Sequence, residues 1–125
     1  MEISIIDKQD DCILACSSLG IFWGIWRSSS PPELKSYIVE LDTDDIITPE
    51  LITPSFVKLP YIESRDGVTY LTGLVERIED DVLILRLYET LMMIPIEQAT
   101  EMLQYCDCFV CIGVKQIQIY DVGII

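Results

Sequence analysis

Apolar and polar residues alternate with a period of two over much of the chain, and this pattern predicts β-strands. Residues 2–5 alternate before a polar turn at residues 7–11, and residues 12–16 and 21–26 are short apolar runs. Residues 36–41 alternate again, with Tyr37, Val39 and Leu41 on one face. Because successive side chains of a strand point to opposite faces, these three side chains are predicted to face a core.

The middle of the chain predicts a meander of antiparallel strands. Residues 57–63 and 68–79 flank a turn that contains Asp66 and Gly67, a pair favoured in hairpins because glycine accepts a positive φ. A second turn at residues 79–81 leads into an alternating strand at residues 82–88. A further strand is predicted at residues 91–96.

Residues 46–60, which lead into this meander, contain three prolines, Pro49, Pro54 and Pro60. Proline lacks the N–H group that a central strand donates to its neighbour. The segment is therefore predicted to be a loop or an edge strand.

One helix is predicted after the meander. Pro95 can begin it, and residues 97–105 are good helix formers with Ala99, Met102 and Leu103 on one face. The chain then returns to strand.

Seven or eight short strands and one late helix predict an α+β fold that is mainly antiparallel β. The expected form is a small curled sheet or a partly open barrel with one helix in the C-terminal half. Residues 73–87 form the kind of unit found in SH3-like or OB-like barrels, an analogy of fold that carries no function. No internal repeat or linker is found, and the length predicts one domain, 1–125.

Charge narrows the classes of partner. The chain has 21 acidic and 8 basic residues, a formal net charge of -13. Such a charge repels nucleic acid and anionic membranes and attracts cationic surfaces. Half of the residues are hydrophobic, which argues against disorder.

The N-terminal residues indicate a cytoplasmic protein. Residues 1–11 contain four acids and one lysine, whereas a signal peptide needs a basic start. Residues 12–26 are apolar but shorter than a membrane-spanning helix.

The five cysteines are predicted to be reduced thiols: Cys12, Cys16, Cys106, Cys108 and Cys111. The last three form a second group, which is predicted to lie in a buried strand. Two groups of thiolates could converge on a metal ion, but they lack the paired spacing of zinc knuckles. Packing of free thiols is the favoured interpretation, and no cofactor or metal is predicted.

Catalytic patterns are missing from the sequence, and no enzymatic activity is predicted. There is no histidine, no P-loop and no glycine-rich dinucleotide motif. The carboxylate pairs Asp44/Asp45 and Asp80/Asp81 could bind a hard cation or act as an acid and a base. Both pairs lie in predicted turns, where aspartate is favoured for local hydrogen bonding.

Acidic residues remain as the candidate partner-binding surface. Eight of them form two clusters, which we expect to contact a basic protein: Glu40, Asp42, Asp44 and Asp45, and Glu76, Glu79, Asp80 and Asp81. A third, smaller group is Glu97 with Glu101. Aromatic residues often anchor interfaces, and the candidates are Trp26, Tyr37, Tyr61, Tyr70 and Tyr88.

In size, acidity, lack of histidine and acidic runs such as residues 42–45 and 79–81, the chain resembles bacterial toxin immunity proteins. Those paired with toxins of contact-dependent growth inhibition are an example. The resemblance lies in composition along the whole chain and implies that the protein covers the active site of a basic toxin, such as a nuclease. No motif carries family residues onto positions of this chain.

Two other interpretations stay open. A nucleic-acid mimic that inhibits a DNA-binding enzyme would use the same electrostatics, with acids spaced like phosphates. A structural or assembly subunit would associate through apolar surface and would be insensitive to salt.

Overall fold

The computed structural model describes residues 1–123 of the chain. In that range it contains eleven strands and one α-helix, with 3-10 turns at Pro49–Leu51 and Leu103–Tyr105. In chain order the elements are β1 Glu2–Gln9, β2 Cys12–Ser17, β3 Gly20–Trp26, β4 Ser36–Asp42, β5 Ile52–Pro54, β6 Tyr61–Arg65, β7 Val68–Glu79, β8 Val82–Leu87, β9 Thr90–Pro95, α1 Ala99–Met102, β10 Phe109–Val114 and β11 Gln118–Gly123.

The first sheet closes into a five-stranded barrel in the order β1-β2-β3-β11-β4. β1 pairs antiparallel with both β2 and β4, so it joins the two ends of the order. β11 pairs antiparallel with β4 and parallel with β3, where Gln118 lies beside Ile25 and Ile119 beside Trp26.

The second sheet follows the same plan. Its order is β5-β10-β7-β8-β9, with β6 attached to β7. A parallel bridge between Ile47 and Ile96 brings the segment before β5 alongside the end of β9, as β11 lies alongside β3. The segment 47–54 therefore pairs with β10 through β5 and with the residue after β9 through Ile47.

The first three strands of the barrel, β1 to β3, correspond to β7 to β9 of the second sheet at a spacing of 70 residues. β1 and β7 are irregular at corresponding places, residues 5–7 and 75–77. Asp10 and Asp80 begin the following turns with φ of 56° and 53°. The sequence shows no internal repeat, since over residues 1–26 and 71–96 only the two aspartate pairs of these turns are identical, and the correspondence lies in the order of the strands. The two segments share the alternation of buried and exposed positions but differ in the side chains at those positions.

The repeat units exchange a strand. β5 belongs by sequence to the first unit but pairs with β10 of the second. β11 belongs to the second unit but pairs with β4 of the first. The barrel and the second sheet thus each contain a strand from the other half of the chain, and the halves are interlocked.

The predicted class, mainly antiparallel β with a helix in the C-terminal half, is confirmed. The prediction of one small sheet or partly open barrel is corrected to a closed barrel plus a second sheet. In the barrel, β11 lies between β3 and β4 and runs parallel to β3.

The predicted helix is shorter than expected. Pro95 ends β9 and does not begin a helix, which starts only at Ala99. Pro95 is opposite Val82 at the last pair of the ladder, a place where a strand tolerates proline because the N–H can point away from the partner. Met102 is fully buried, whereas Leu103 is exposed. The strand predicted at residues 57–63 likewise begins only at Tyr61.

Buried side chains follow the alternation predicted from the sequence. Tyr37, Val39 and Leu41 are buried, and Leu83, Leu85 and Leu87, which share one face of β8, are buried as well. One cluster of buried apolar residues includes members of both repeat units. Within residues 1–123, no helix is long and apolar enough to cross a membrane.

The second group of cysteines is not a buried strand. Cys106 and Cys108 lie in the turn before β10, and Cys108 is exposed. Cys111 lies on β10 with a half-buried side chain. All five cysteines are free thiols in the structure.

Candidate functional site

The first acidic cluster begins on the outer face of β4. Glu40 and Asp42 alternate with the buried Val39 and Leu41, so their carboxylates point away from the barrel core. On β11, the residue opposite Glu40 is Tyr120. This strand pair therefore presents carboxylates beside an aromatic ring.

The other two members of this cluster hold a turn in place. The side-chain amide of Gln118 donates a hydrogen bond to Asp44, and the backbone N–H of Lys115 donates one to Asp45. Both partners belong to the second repeat unit. Asp44 and Asp45 thus act first as links between the halves of the chain.

The second cluster is partly neutralised by neighbouring cations. Arg86 on β8 donates a hydrogen bond to Glu76, and Arg77 pairs with Glu79 at 2.6 Å. The Arg86 hydrogen bond lowers the pKa of Glu76, so its carboxylate stays charged in mild acid. Asp80 occupies the left-handed position of the turn. Only part of the charge predicted here is left to attract a partner.

The ends of the two clusters approach each other at one end of the second sheet. The N–H of Ile96 donates to the carbonyl of Asp81 at 2.9 Å, and the N–H of Ile47 donates to that of Pro95 at 2.9 Å. The backbone around Ile96 is thus flanked by Asp81 on one side and by Ile47, two residues after Asp45, on the other.

A groove beside the barrel and the second sheet brings together the exposed Glu40 and half-buried Asp42 of β4 and apolar residues of β9. It encloses about 720 Å³. We call it the β4–β9 groove; its lining includes Glu40, Asp42, Glu89, Leu91, Met93 and Tyr120. Leu91 and Met93 are 42% and 62% exposed. The groove thus offers apolar surface with carboxylates at its rim.

The last four of these lining residues were missed at the sequence level. The signal was the alternation in β9, where Leu91 and Met93 fall on the face opposite the buried Met92 and Ile94. Sequence alone does not show that this outer face lies beside β4.

Two of the aromatic anchor candidates belong to the core. Trp26 and Tyr37 are buried, with ring centroids 4.8 Å apart in an edge-to-face arrangement. Tyr70 lies under the guanidinium of Arg65 at 4.4 Å. Tyr61 and Tyr88 are exposed.

Several lysine and arginine side chains form ion pairs with adjacent acidic side chains. Surface ion pairs join Lys35 to Glu33 and Arg65 to Glu63, in addition to the two pairs of the second cluster. Such pairs contribute little to stability, but they remove positive charge from the field that a partner meets.

The thiol of Cys12 is not activated. Burial, together with the nearby Asp11, raises the pKa of Cys12, which favours its neutral thiol. Within residues 1–123, no three His, Cys, Asp or Glu side chains are grouped so that they could hold a metal ion.

Comparisons of the chain with protein-family models, with curated proteins and with solved structures find no match. The function is therefore argued from the geometry and charge of the surfaces described above.

Proposed function

We propose that this chain is a non-enzymatic binding protein that neutralises a basic protein partner, as an immunity protein neutralises a toxin. The observation that supports the proposal is the β4–β9 groove, where Glu40, Asp42 and Glu89 surround exposed apolar side chains. Within the described residues, no lysine or arginine lines this groove.

Inhibition would follow from competition for the partner's basic cleft. A nuclease needs positive charge to bind phosphates, and an acidic surface seated on that charge excludes the substrate. Long-range attraction raises the rate of encounter, and buried apolar contact slows dissociation. Exposed Leu91 and Met93 are suited to the second task.

The eight acids of the predicted surface are not equivalent in this proposal. Glu40 and Asp42 face the groove, whereas Glu76 and Glu79 are already paired with arginines. We therefore infer that the first pair contributes more to partner binding than the second.

A second candidate function is assembly with other subunits. It is favoured by the loop between β5 and β6, where Phe56, Val57 and Leu59 are all exposed. Exposed apolar residues in succession are typical of contact surfaces.

The test is capture of a partner from the native host at low and at high salt. Attraction between surface charges is screened over about 8 Å at physiological ionic strength and about 3 Å at 1 M. A basic partner that is held at low salt, released at high salt and inhibited by the chain supports the proposal. Association that is indifferent to salt, or no basic partner at all, contradicts it and leaves the assembly function.

Charge reversal locates the surface. The double substitution Glu40→Lys/Asp42→Lys is expected to weaken capture at least tenfold, while Glu97→Lys/Glu101→Lys makes the same change in net charge outside the groove. Equal losses from the two variants would mean that net charge, and not this surface, is responsible.

A further inference from the structure

The repeat shows how one strand edge of this protein is covered. In the first unit, β6 lies against the outer edge of β3: the N–H of Ile62 donates to the carbonyl of Leu19 at 2.9 Å. The N–H of Trp23 donates to the hydroxyl of Ser64 at 2.9 Å. β6 is thus hydrogen-bonded to the turn before β3 and to the N–H of Trp23, on the side of β3 that faces away from β2.

The corresponding edge in the second unit has no hydrogen-bonded cover among the described residues, although parts of β4 lie within 8 Å of β9, measured between Cα atoms. With the spacing of 70 residues, Leu19 corresponds to Glu89 and Trp23 to Met93. β9 pairs with β8 along its whole length, but on its other side the bridge to Ile47 occurs only at Ile96. Over Thr90–Ile94, no described residue pairs with β9 on that side.

Backbone hydrogen-bonding groups are therefore free on this edge. Leu87 and Thr90 flank a two-residue turn, and hydrogen-bonded and non-hydrogen-bonded pairs then alternate along the ladder. This alternation directs the N–H and C=O groups of Leu91 and Met93 away from β8. Natural proteins usually protect an apolar strand edge with charge, proline or a covering segment.

The free edge opens into the β4–β9 groove and a neighbouring cavity of about 910 Å³. The two cavities share Met1, Ile38, Glu89 and Thr90, so they lie side by side at the start of β9, and we refer to them together as the channel. No lysine or arginine of the described residues lines either of them, whereas Glu2, Glu40, Asp42 and Glu89 do.

We propose that an extended segment of the basic partner binds in this channel as an additional strand along β9. Main-chain hydrogen bonds to Leu91 and Met93 would supply affinity, and alternate side chains would supply specificity. The chemistry of the lining calls for lysine or arginine facing Glu40, Asp42 and Glu89, alternating with apolar side chains against Leu91 and Met93. The inference rests on the proposed function and adds the form in which the partner binds.

A second copy of the chain fits the channel poorly. Two copies that paired through β9 would each bring Glu40, Asp42 and Glu89 against a chain of net charge -13. Like charges across an interface are unfavourable and suppress such partners.

Selection from a random decapeptide display library at low salt tests the proposal. The peptides that bind are expected to alternate lysine or arginine with apolar residues. On adding such a peptide, the amide protons of Leu91 and Met93 are expected to become protected from hydrogen exchange.

A pair of variants separates backbone pairing from side-chain contact. Met93→Pro removes the free N–H without removing a bond to β8, and Met93→Ala removes the side chain but keeps the N–H. We expect peptide affinity to fall at least tenfold for Met93→Pro and clearly less for Met93→Ala. If Met93→Pro fails to fold, the deciding measurement is whether the peptide protects the amide protons of Leu91 and Met93 from hydrogen exchange in the native chain.

Several results would overturn the proposal: no enriched peptide, enriched peptides without basic residues, equal losses for the two variants, or absent protection at Leu91 and Met93. A dimer of the native chain that Met93→Pro dissociates would assign the edge to a second copy instead. If Met93→Pro still captures and inhibits the basic partner, strand addition fails while the proposed function stands. If salt-sensitive capture is missing altogether, the proposed function itself fails.

Discussion

Gly20 at the start of β3 lies directly against the carbonyl group of Ile62 on β6. A Cβ added at Gly20 would overlap with that carbonyl oxygen. The φ of Gly20 is 138°, a conformation that side-chain-bearing residues rarely adopt. This close approach lets β6 cover the edge of β3, and the equivalent position in the second unit is Thr90, whose edge has no described cover.

Substitution of Gly20 by alanine is expected to destabilise the protein severely. Gly67 supplies a matched control, because its φ is also positive, 79°, but nothing lies within 4 Å of an added Cβ. We expect Gly67→Ala to lower the free energy of unfolding by about 1 kcal/mol, the cost of the backbone conformation. Gly20→Ala should lose about 1–3 kcal/mol more through overlap with Ile62. Urea unfolding measures both, and equal losses would show that β6 moves aside freely.

Thr43 is expected to be important for joining the two repeat units. Its buried hydroxyl donates to the carbonyl of Gln116 at 2.8 Å and accepts the N–H of Asp45 at 3.1 Å. Thr43→Val keeps the shape but leaves both backbone groups without this partner, at an expected cost of about 1–3 kcal/mol in unfolding free energy. Thr43→Ser, which keeps the hydroxyl, should lose less in the same urea experiment. The reverse order would mean that the methyl group matters more than the hydrogen bonds.

Stability is expected to fall in acid partly through Glu76. Arg86 lowers the pKa of Glu76 in the folded chain below its ordinary value of 4.5, so the unfolded chain binds the proton more tightly. The contribution of this pair is therefore complete above the ordinary value and is lost as the pH falls through the lowered pKa. Unfolding free energies measured between pH 7 and pH 3 should fall less steeply for Glu76→Gln than for the native chain. Glu101→Gln, which removes an exposed carboxylate of α1, is the control variant.

Strand exchange predicts how the chain behaves when it is cut. The loop between β5 and β6 contains Lys58, where trypsin can cleave, and a cut there separates the units without breaking a strand. Each fragment then lacks one strand of its sheet, β11 in one case and β5 in the other. We expect neither fragment to unfold cooperatively alone, and the mixture to recover the native circular dichroism spectrum and to elute as one complex. Cooperative unfolding of a single fragment would show that the exchanged strand is dispensable.

Local pattern was sufficient for the elements of this fold and for their inner faces. The burial of Tyr37 and Val39, and the hairpin at Asp66 and Gly67, follow from alternation and turn chemistry alone. The helix was predicted too long because Pro95 is compatible with both a helix start and the last pair of a strand ladder, and the ladder prevailed.

The candidate site was only partly accessible from the sequence. The acids themselves were evident, but whether Glu76 is free or paired depends on Arg86, ten residues away on the next strand. Similarly, Glu40 and Met93 line one groove only because the barrel and the second sheet pack side by side.

By itself, the sequence determined that this chain is an acidic, mainly antiparallel β protein without histidine, since charge and alternation are properties of neighbouring residues. The tertiary structure alone decided the repeat, the exchange of β5 and β11 and the open edge of β9. The physical reason is that a strand's pattern specifies which face is buried but not which strand lies beside it. That choice depends on contacts between residues far apart in the chain, such as Ile47 with Ile96.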